Sequence, residues 1–215
     1  MAASTIESGS GKDIIVVDEA DLGKINVVEP PNTGVTEIDV NSAIKGFELG
    51  LSGTKDVSIV GARLKEAKIS NEVPKGETVS VTLAVTKATK LQYVSTGKGA
   101  TDLSVAEVKF LNSSVTTAKG KADDSISFGP SSIVKSAFIS TGKGNDTVTF
   151  SGRMKGKTTV ESGKSRDLIE VNSKYRGKGK LVLSDFNKKD TLVVGDETFT
   201  TKNLEEAPKW VTFDA

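Results

Sequence analysis

The 215-residue chain contains neither cysteine nor histidine. The first absence rules out disulfide staples and thiol chemistry, and the second removes the side chain that most often serves as general base near neutral pH. Together they also remove the usual ligands of transition metals. Aromatic residues are scarce, with 1 Trp and 2 Tyr, so a broad stacking platform for sugars is not on offer. Proline, which interrupts sheet ladders, occurs only 5 times. No apolar run approaches the ~20 residues of a membrane-spanning helix. An excess of one charge is missing too: 29 basic residues meet 28 acidic ones, a net +1, and no overall field draws the chain to nucleic acid or to a membrane surface. The N-terminal MAASTIESGSGKD has no basic segment followed by an apolar one, which predicts no cleaved signal peptide.

What the chain does have is repetition. Residues 90–99 (KLQYVSTGKG) match residues 135–144 (KSAFISTGKG) at six of ten positions, setting Tyr93 against Phe138 and Val94 against Ile139. The underlying period is half of that. Asp102, Asp124, Asp146, Asp167 and Asp190 follow one another at intervals of 22, 22, 21 and 23 residues, each after a turn rich in Gly, Ser or Lys and each opening an apolar run. In four copies the apolar residues stand two and four places after the Asp, on one face of a strand: Ile126 and Phe128, Val148 and Phe150, Ile169 and Val171, Leu192 and Val194. The copy at Asp102 is slipped by one residue, with Leu103 and Val105. Asp13 and Asp56 extend the series upstream at about two periods each, with intervening copies near Thr36 and Thr78.

A recurring turn with about 22 residues between copies predicts an all-β chain wound as a parallel β-solenoid of the β-helix or β-roll kind, two strands and two turns per coil. Each strand pairs with its equivalent one coil away, ~4.8 Å distant. An antiparallel sandwich also recurs every 8 to 12 residues but has no reason to reuse one turn sequence. The expected organisation is an N-terminal arm or cap at 1–12, a repeat domain at 13–200 (irregular over 13–89, regular over 90–200), and a C-terminal cap at 201–215 carrying Trp210 and Phe213. Residues 42–51 are ambiguous, and a short helical turn is expected at 62–67 (ARLKEA).

The turn TGKGNDTV at 141–148 resembles the haemolysin-type, or RTX (repeats-in-toxin), calcium-binding nonapeptide G-G-x-G-x-D-x-U-x, and LVLSDFNKKDTLVV at 181–194 resembles a segment that often follows the last such repeats. The likeness spans roughly residues 90–200. It implies a β-roll in which calcium sits between coils, held by the carbonyls of Gly142 and Gly144 and the carboxylates of Asp146, Asp124 and Asp167. The chain departs from the pattern at Thr141, Ala122 and Ser165, which stand where the family has glycine.

Stacked coils would also set the aspartates in a column of like charges, which calls for neutralisation. Calcium is one solution. Lysine is another: Lys98, Lys121, Lys143, Lys164 and Lys188 recur two to four residues before Asp102, Asp124, Asp146, Asp167 and Asp190, and a mixed-charge ladder or a solvated face is expected of them. No catalytic constellation is recognisable and no organic cofactor is expected. The favoured function is a non-enzymatic structural protein, a rigid solenoid assembling with itself or with a larger shell such as a phage virion, as a decoration or appendage protein. The alternative is a secreted or cell-surface RTX-like calcium-binding protein; a minor one is a β-helix that binds or cleaves surface polysaccharide. The expected setting is a virion or an extracellular surface, in a homo-oligomer or larger assembly, without nucleic acid or a membrane span.

Overall fold

The computed structural model describes residues 4–7, 13–17, 24–28, 35–46, 48–52, 56–117, 120–172 and 178–214. The upstream strands are β1 (Ser4–Glu7), β2 (Asp13–Val17), β3 (Lys24–Val28), β4 (Val35–Lys45), β5 (Glu48–Ser52), β6 (Asp56–Lys65), β7 (Lys68–Val73), β8 (Thr78–Thr89) and β9 (Gln92–Gly97). Downstream follow β10 (Ala100–Val105), β11 (Lys109–Leu111), β12 (Ser114–Thr116), β13 (Ser125–Phe128), β14 (Ile133–Lys135), β15 (Phe138–Ser140), β16 (Thr147–Phe150), β17 (Arg153–Lys155), β18 (Lys157–Glu161), β19 (Leu168–Val171), β20 (Lys180–Ser184), β21 (Thr191–Val194), β22 (Glu197–Phe199) and β23 (Val211–Asp214).

These strands form the parallel β-solenoid that the repeat predicts, with coils roughly 23 residues apart. Sheet 1 stacks β1-β3-β5-β7-β9-β12-β15-β18-β20-β23, and sheet 2 stacks β2, β4, β6 and β8 and then continues through β10, β13, β16, β19 and β21. Two strands per coil suffice only upstream. β8 pairs with β10 through its first half and with β11 through its second, so from there a third face, β11-β14-β17, joins the coil. The long upstream strands bend instead of breaking: β4 carries a register shift between Val40 and Ala43, and Gly61 in β6 has φ of 128°.

Strand alternation drives apolar side chains inward. One register line runs Ile15, Ile38, Ile59, Leu83, Val105, Phe128, Phe150, Val171 and Val194. From Ile38 to Val171 every member is buried, and Phe128 stacks on Phe150 with ring centroids 5.2 Å apart and planes 2° apart.

Several expectations need correction. Asp102 lies opposite Ser125, so Thr101 occupies the place of Asp124 and Asp102 faces solvent. The cause is turn length: six residues span 141–146 but seven span 95–101, which slips the sequence alignment by one. For the same reason Tyr93 aligns, through Val115, with Ile139, and Phe138 is left on the outer face. Asp13 aligns with Thr36 as expected, but neither it nor Asp56 joins the column of aspartates. Residues 62–65 are strand rather than helix, with Leu64 buried between exposed Arg63 and Lys65; the ladder to β4 and β8 overrides their helix propensity. Glu66 then turns the chain with φ of 54°. The ambiguous 42–51 stretch resolves into the end of β4, a turn at Gly46, and β5. Ser4–Glu7, within the expected arm, is a strand paired with β3; residues 1–3 and 8–12 lie outside the described residues. At the other end Trp210 and Phe213 pack against the core, Phe213 edge-on to Phe186 at 5.2 Å.

Candidate functional site

The chemistry concentrates at the corner where sheet 1 hands over to sheet 2. Three successive turns there have one length: 141–146 (TGKGND), 162–167 (SGKSRD) and 185–190 (DFNKKD). In the first two both ends are buried while Lys143, Asn145, Lys164 and Arg166 between them are exposed, because the first residue continues the inward parity of sheet 1 and the last begins that of sheet 2. Asp124, Asp146, Asp167 and Asp190 therefore point inward, each no more than 3% exposed.

Each carboxylate has the same job. The Oδ1 of Asp124 accepts the Thr101 N–H at 2.7 Å, that of Asp146 the Asp124 N–H at 2.8 Å, that of Asp167 the Asp146 N–H at 2.9 Å, and that of Asp190 the Asp167 N–H at 3.1 Å. Every aspartate thus caps the backbone of the coil before it, and three of them are capped by the coil after. Asp185 does the equivalent for sheet 1, accepting the N–H groups of Ser162 and Gly163 at 3.2 and 3.0 Å. Asn187 donates from its backbone and side chain to Asp190 Oδ2 at 2.7 and 2.8 Å. The DFNKKD turn, within the segment that resembles one following the last RTX repeats, closes the last rung of this ladder.

Facing the aspartates is a second column that the sequence reading missed: Asn71, Ser95, Thr117, Thr141, Ser162 and Asp185, in register along sheet 1. Thr117 and Thr141 donate to the carbonyls of Thr141 and Ser162 in the next coil, at 3.1 and 3.3 Å. The signal for the last three was the polar residue five places before each Asp.

Desolvation dominates the electrostatics. Burial pushes Asp146 up to about 7 and Asp167 up to about 6, with neighbouring carboxylates adding a smaller push in the same direction. Asp124, Asp185 and Asp190 are raised for the same first reason. Tyr93, buried and close to Asp124, is held well above the ordinary phenol value, mainly by burial. The Oδ2 atoms of Asp146 and Asp167 are buried without a hydrogen-bond partner. A proton there converts an orphaned acceptor into a donor beside the Thr141 or Ser162 hydroxyl.

The turns themselves depend on glycine at two places. A Cβ on Gly144, where φ is 135°, would sit 2.0 Å from the Ala122 carbonyl oxygen, and one on Gly163 would sit 1.7 Å from that of Gly142. The same packing covers the Gly142 carbonyl, one of the atoms that the RTX resemblance assigns to calcium. No group of three or more acidic side chains able to hold a metal ion occurs among the described residues. Comparison with protein-family models, with curated proteins and with solved structures finds no match.

The lysines stand on the other side of the turn wall. Lys98, Lys121, Lys143, Lys164 and Lys188 are exposed, and among the described residues none pairs with a carboxylate. The mixed-charge ladder is therefore not formed: inward parity buries the aspartates while the bulging turn carries the lysines outward. Lys98, Lys121 and Lys143, joined by Lys75 from the coil above, line a groove of ≈ 650 Å³.

Proposed function

We propose that this chain is a non-enzymatic structural protein, a rigid solenoid that associates with a second copy of itself through its N-terminal end, alone or within a larger shell. The observation that carries the reading is the commitment of the recurring chemistry to architecture: the Oδ1 of each buried aspartate in the column holds the backbone of a neighbouring coil. A side chain capping an internal N–H contributes to rigidity and is not free to serve a substrate.

The two ends of the stack support the mode of association. At the C-terminal end of sheet 2, β22 folds back antiparallel on β21, so the stack ends on a three-residue antiparallel strand. At the N-terminal end β2 pairs on one side only among the described strands, and its outer face carries Ile14 and Val16, 60% and 54% exposed. An unpaired edge with apolar side chains is a template for further pairing. With sheet 2 ending at its other side on a short antiparallel strand, parallel head-to-tail growth is disfavoured there, and two N-terminal ends meeting about a twofold axis give a closed dimer. Native mass measurement should find a dimer, and Ile14→Lys with Val16→Lys should give a folded monomer; a monomeric parent chain would overturn the assembly reading.

One observation favours the RTX-like alternative. The orphaned Oδ2 atoms of Asp146 and Asp167 are acceptors of the kind a hard cation takes. The two readings separate by thermal unfolding in excess calcium against excess chelator. A structural solenoid keeps its midpoint, whereas a tight native-state site raises it by several degrees and loses that rise in Asp146→Ala.

A further inference from the structure

We propose that the lysine-lined groove beside the aspartate column is a binding site for a linear, carboxylate-bearing polysaccharide, a polyuronate laid along the solenoid axis. Overall charge gives no hint of this, since the chain carries only +1. The placement does. Lys75, Lys98, Lys121 and Lys143 come from four successive turns and line one groove, with glycine and alanine as the rest of its wall. Consecutive turns are one strand spacing apart, roughly 4.8 Å, so the four exposed lysines leave the backbone in a row along the stack with a short repeat. No described carboxylate pairs with any of the four. Asp123, the acidic residue adjoining the groove wall at Ala122, is already engaged through Oδ1 with the Asn145 backbone N–H at 2.6 Å. Such a row is complemented by a polymer presenting one negative charge per short repeat, as a chain of uronic acids does with one carboxylate per ring.

Two features set the ligand class. Among the described residues no aromatic side chain lines the groove, so the stacking that single-stranded nucleic acid and neutral sugars rely on is missing, whereas an acidic polysaccharide can be held by charge. The wall at Gly120 is bare without the fold requiring it: a Cβ there would meet Lys98 Cα at 3.4 Å, an ordinary contact, and no left-handed backbone angle enforces glycine. A bare wall between cations leaves room for a sugar ring.

The test uses the full chain and polygalacturonate as probe, with dextran as the neutral polymer and oligodeoxythymidylate as the nucleic-acid control. The variants are Lys98→Gln/Lys121→Gln/Lys143→Gln in the groove, Lys109→Gln/Lys135→Gln/Lys155→Gln on the third face as a charge-matched control, and Gly120→Leu as an uncharged block. The expected result is binding to polygalacturonate alone, weakened about tenfold or more by the groove triple and by Gly120→Leu, and falling as salt rises, with the control triple close to the parent chain. Circular dichroism shows that each variant is folded. Absence of polygalacturonate binding, equal losses in the two triples, an unaffected Gly120→Leu, or groove-dependent oligodeoxythymidylate binding of equal strength would each overturn the proposal.

Discussion

The upstream and downstream coils close the same corner with different chemistry. Around β7 and β8 the corner is lined by Val73, Val79 and Asn71, and the turn, which includes Pro74, spans nine residues at 71–79 against six at 141–146 and 162–167. From Thr101 onward the position of Val79 passes to Thr101, Asp124, Asp146, Asp167 and Asp190, and the facing column becomes hydroxyl-bearing. The backbone path is shared; the means of holding turn to turn is not. Apolar closure relies on packing, whereas carboxylate closure adds a directional bond to every coil. The bond tolerates more than one turn length: eight residues span 117–124 and six span 141–146, and the aspartate ending each turn joins the same ladder.

The largest test of this contrast leaves the corner alone and strikes the column both regions share. Phe150→Ala should destabilise the chain by ~3–5 kcal/mol, because the ring stacks on Phe128 and the cavity cannot collapse between strands held at fixed spacing. Ile59→Val, in the same column upstream, should cost only ~0.5–1.5 kcal/mol. Urea midpoints at constant m-value measure both, and a loss below about 1 kcal/mol at Phe150 would remove it from the core.

Next in size is the corner itself. Asp146→Ala leaves the Asp124 N–H buried without an acceptor and should cost roughly 1–3 kcal/mol, whereas Asp146→Asn keeps the acceptor and should cost less. The pair also separates the charge from the hydrogen bond through pH. Asp146 and Asp167 have folded values raised to about 7 and about 6, above an unfolded value near 4. Between those limits the folded chain retains protons that the unfolded chain has released, so the stability these two groups contribute is fully present below about pH 4 and is lost as pH rises through 6 to 7. A drop of order 2 kcal/mol, or about 4–8 °C in the unfolding midpoint, is expected between pH 5 and pH 8.5. Asp146→Asn should flatten most of it; an equally steep profile in that variant would assign the effect elsewhere.

Much of this was legible in the sequence. The offset of two and four residues after each Asp gave the inward column from Ile126 to Val194 in correct register, since strand parity is fixed by the backbone. The Asp column was visible as a period, but the backbone N–H groups it caps were not. Composition offers no means of telling an exposed carboxylate awaiting a cation from a buried one capping an N–H; that depends on whether the turn bulges before or after the Asp. The third face was hidden because β11, β14 and β17 hold three residues each and place a single side chain inward: Phe110, Val134 and Met154. One apolar residue carries no periodicity. The slip at Asp102 and Tyr93 arose from turns of unequal length, which shift an alignment without changing the coil.

The smallest expected effect concerns a corner that the two regions close alike. Where the chain returns to sheet 1, Gly46, Glu66, Lys90, Asn112, Ser136 and Gly156 all have φ between 48° and 71°, and from Gly46 to Ser136 each N–H donates to a carbonyl of the next coil. Only two of the six are glycine, so the ladder holds four side chains in a left-handed conformation that costs an L-residue about 1–2 kcal/mol. Ser136→Gly relieves that cost but adds freedom to the unfolded chain worth about 0.4–1 kcal/mol, for a net gain of roughly 0.5 kcal/mol. The same change at Ser114, an extended residue of β12, should instead lose roughly 0.5–1 kcal/mol. Opposite signs from one substitution, read as urea midpoints, would show that the corner is set by interlocked coils and not by local preference; a loss at Ser136 would mean that its hydroxyl, packed toward Gly156, contributes more than the strain it accompanies.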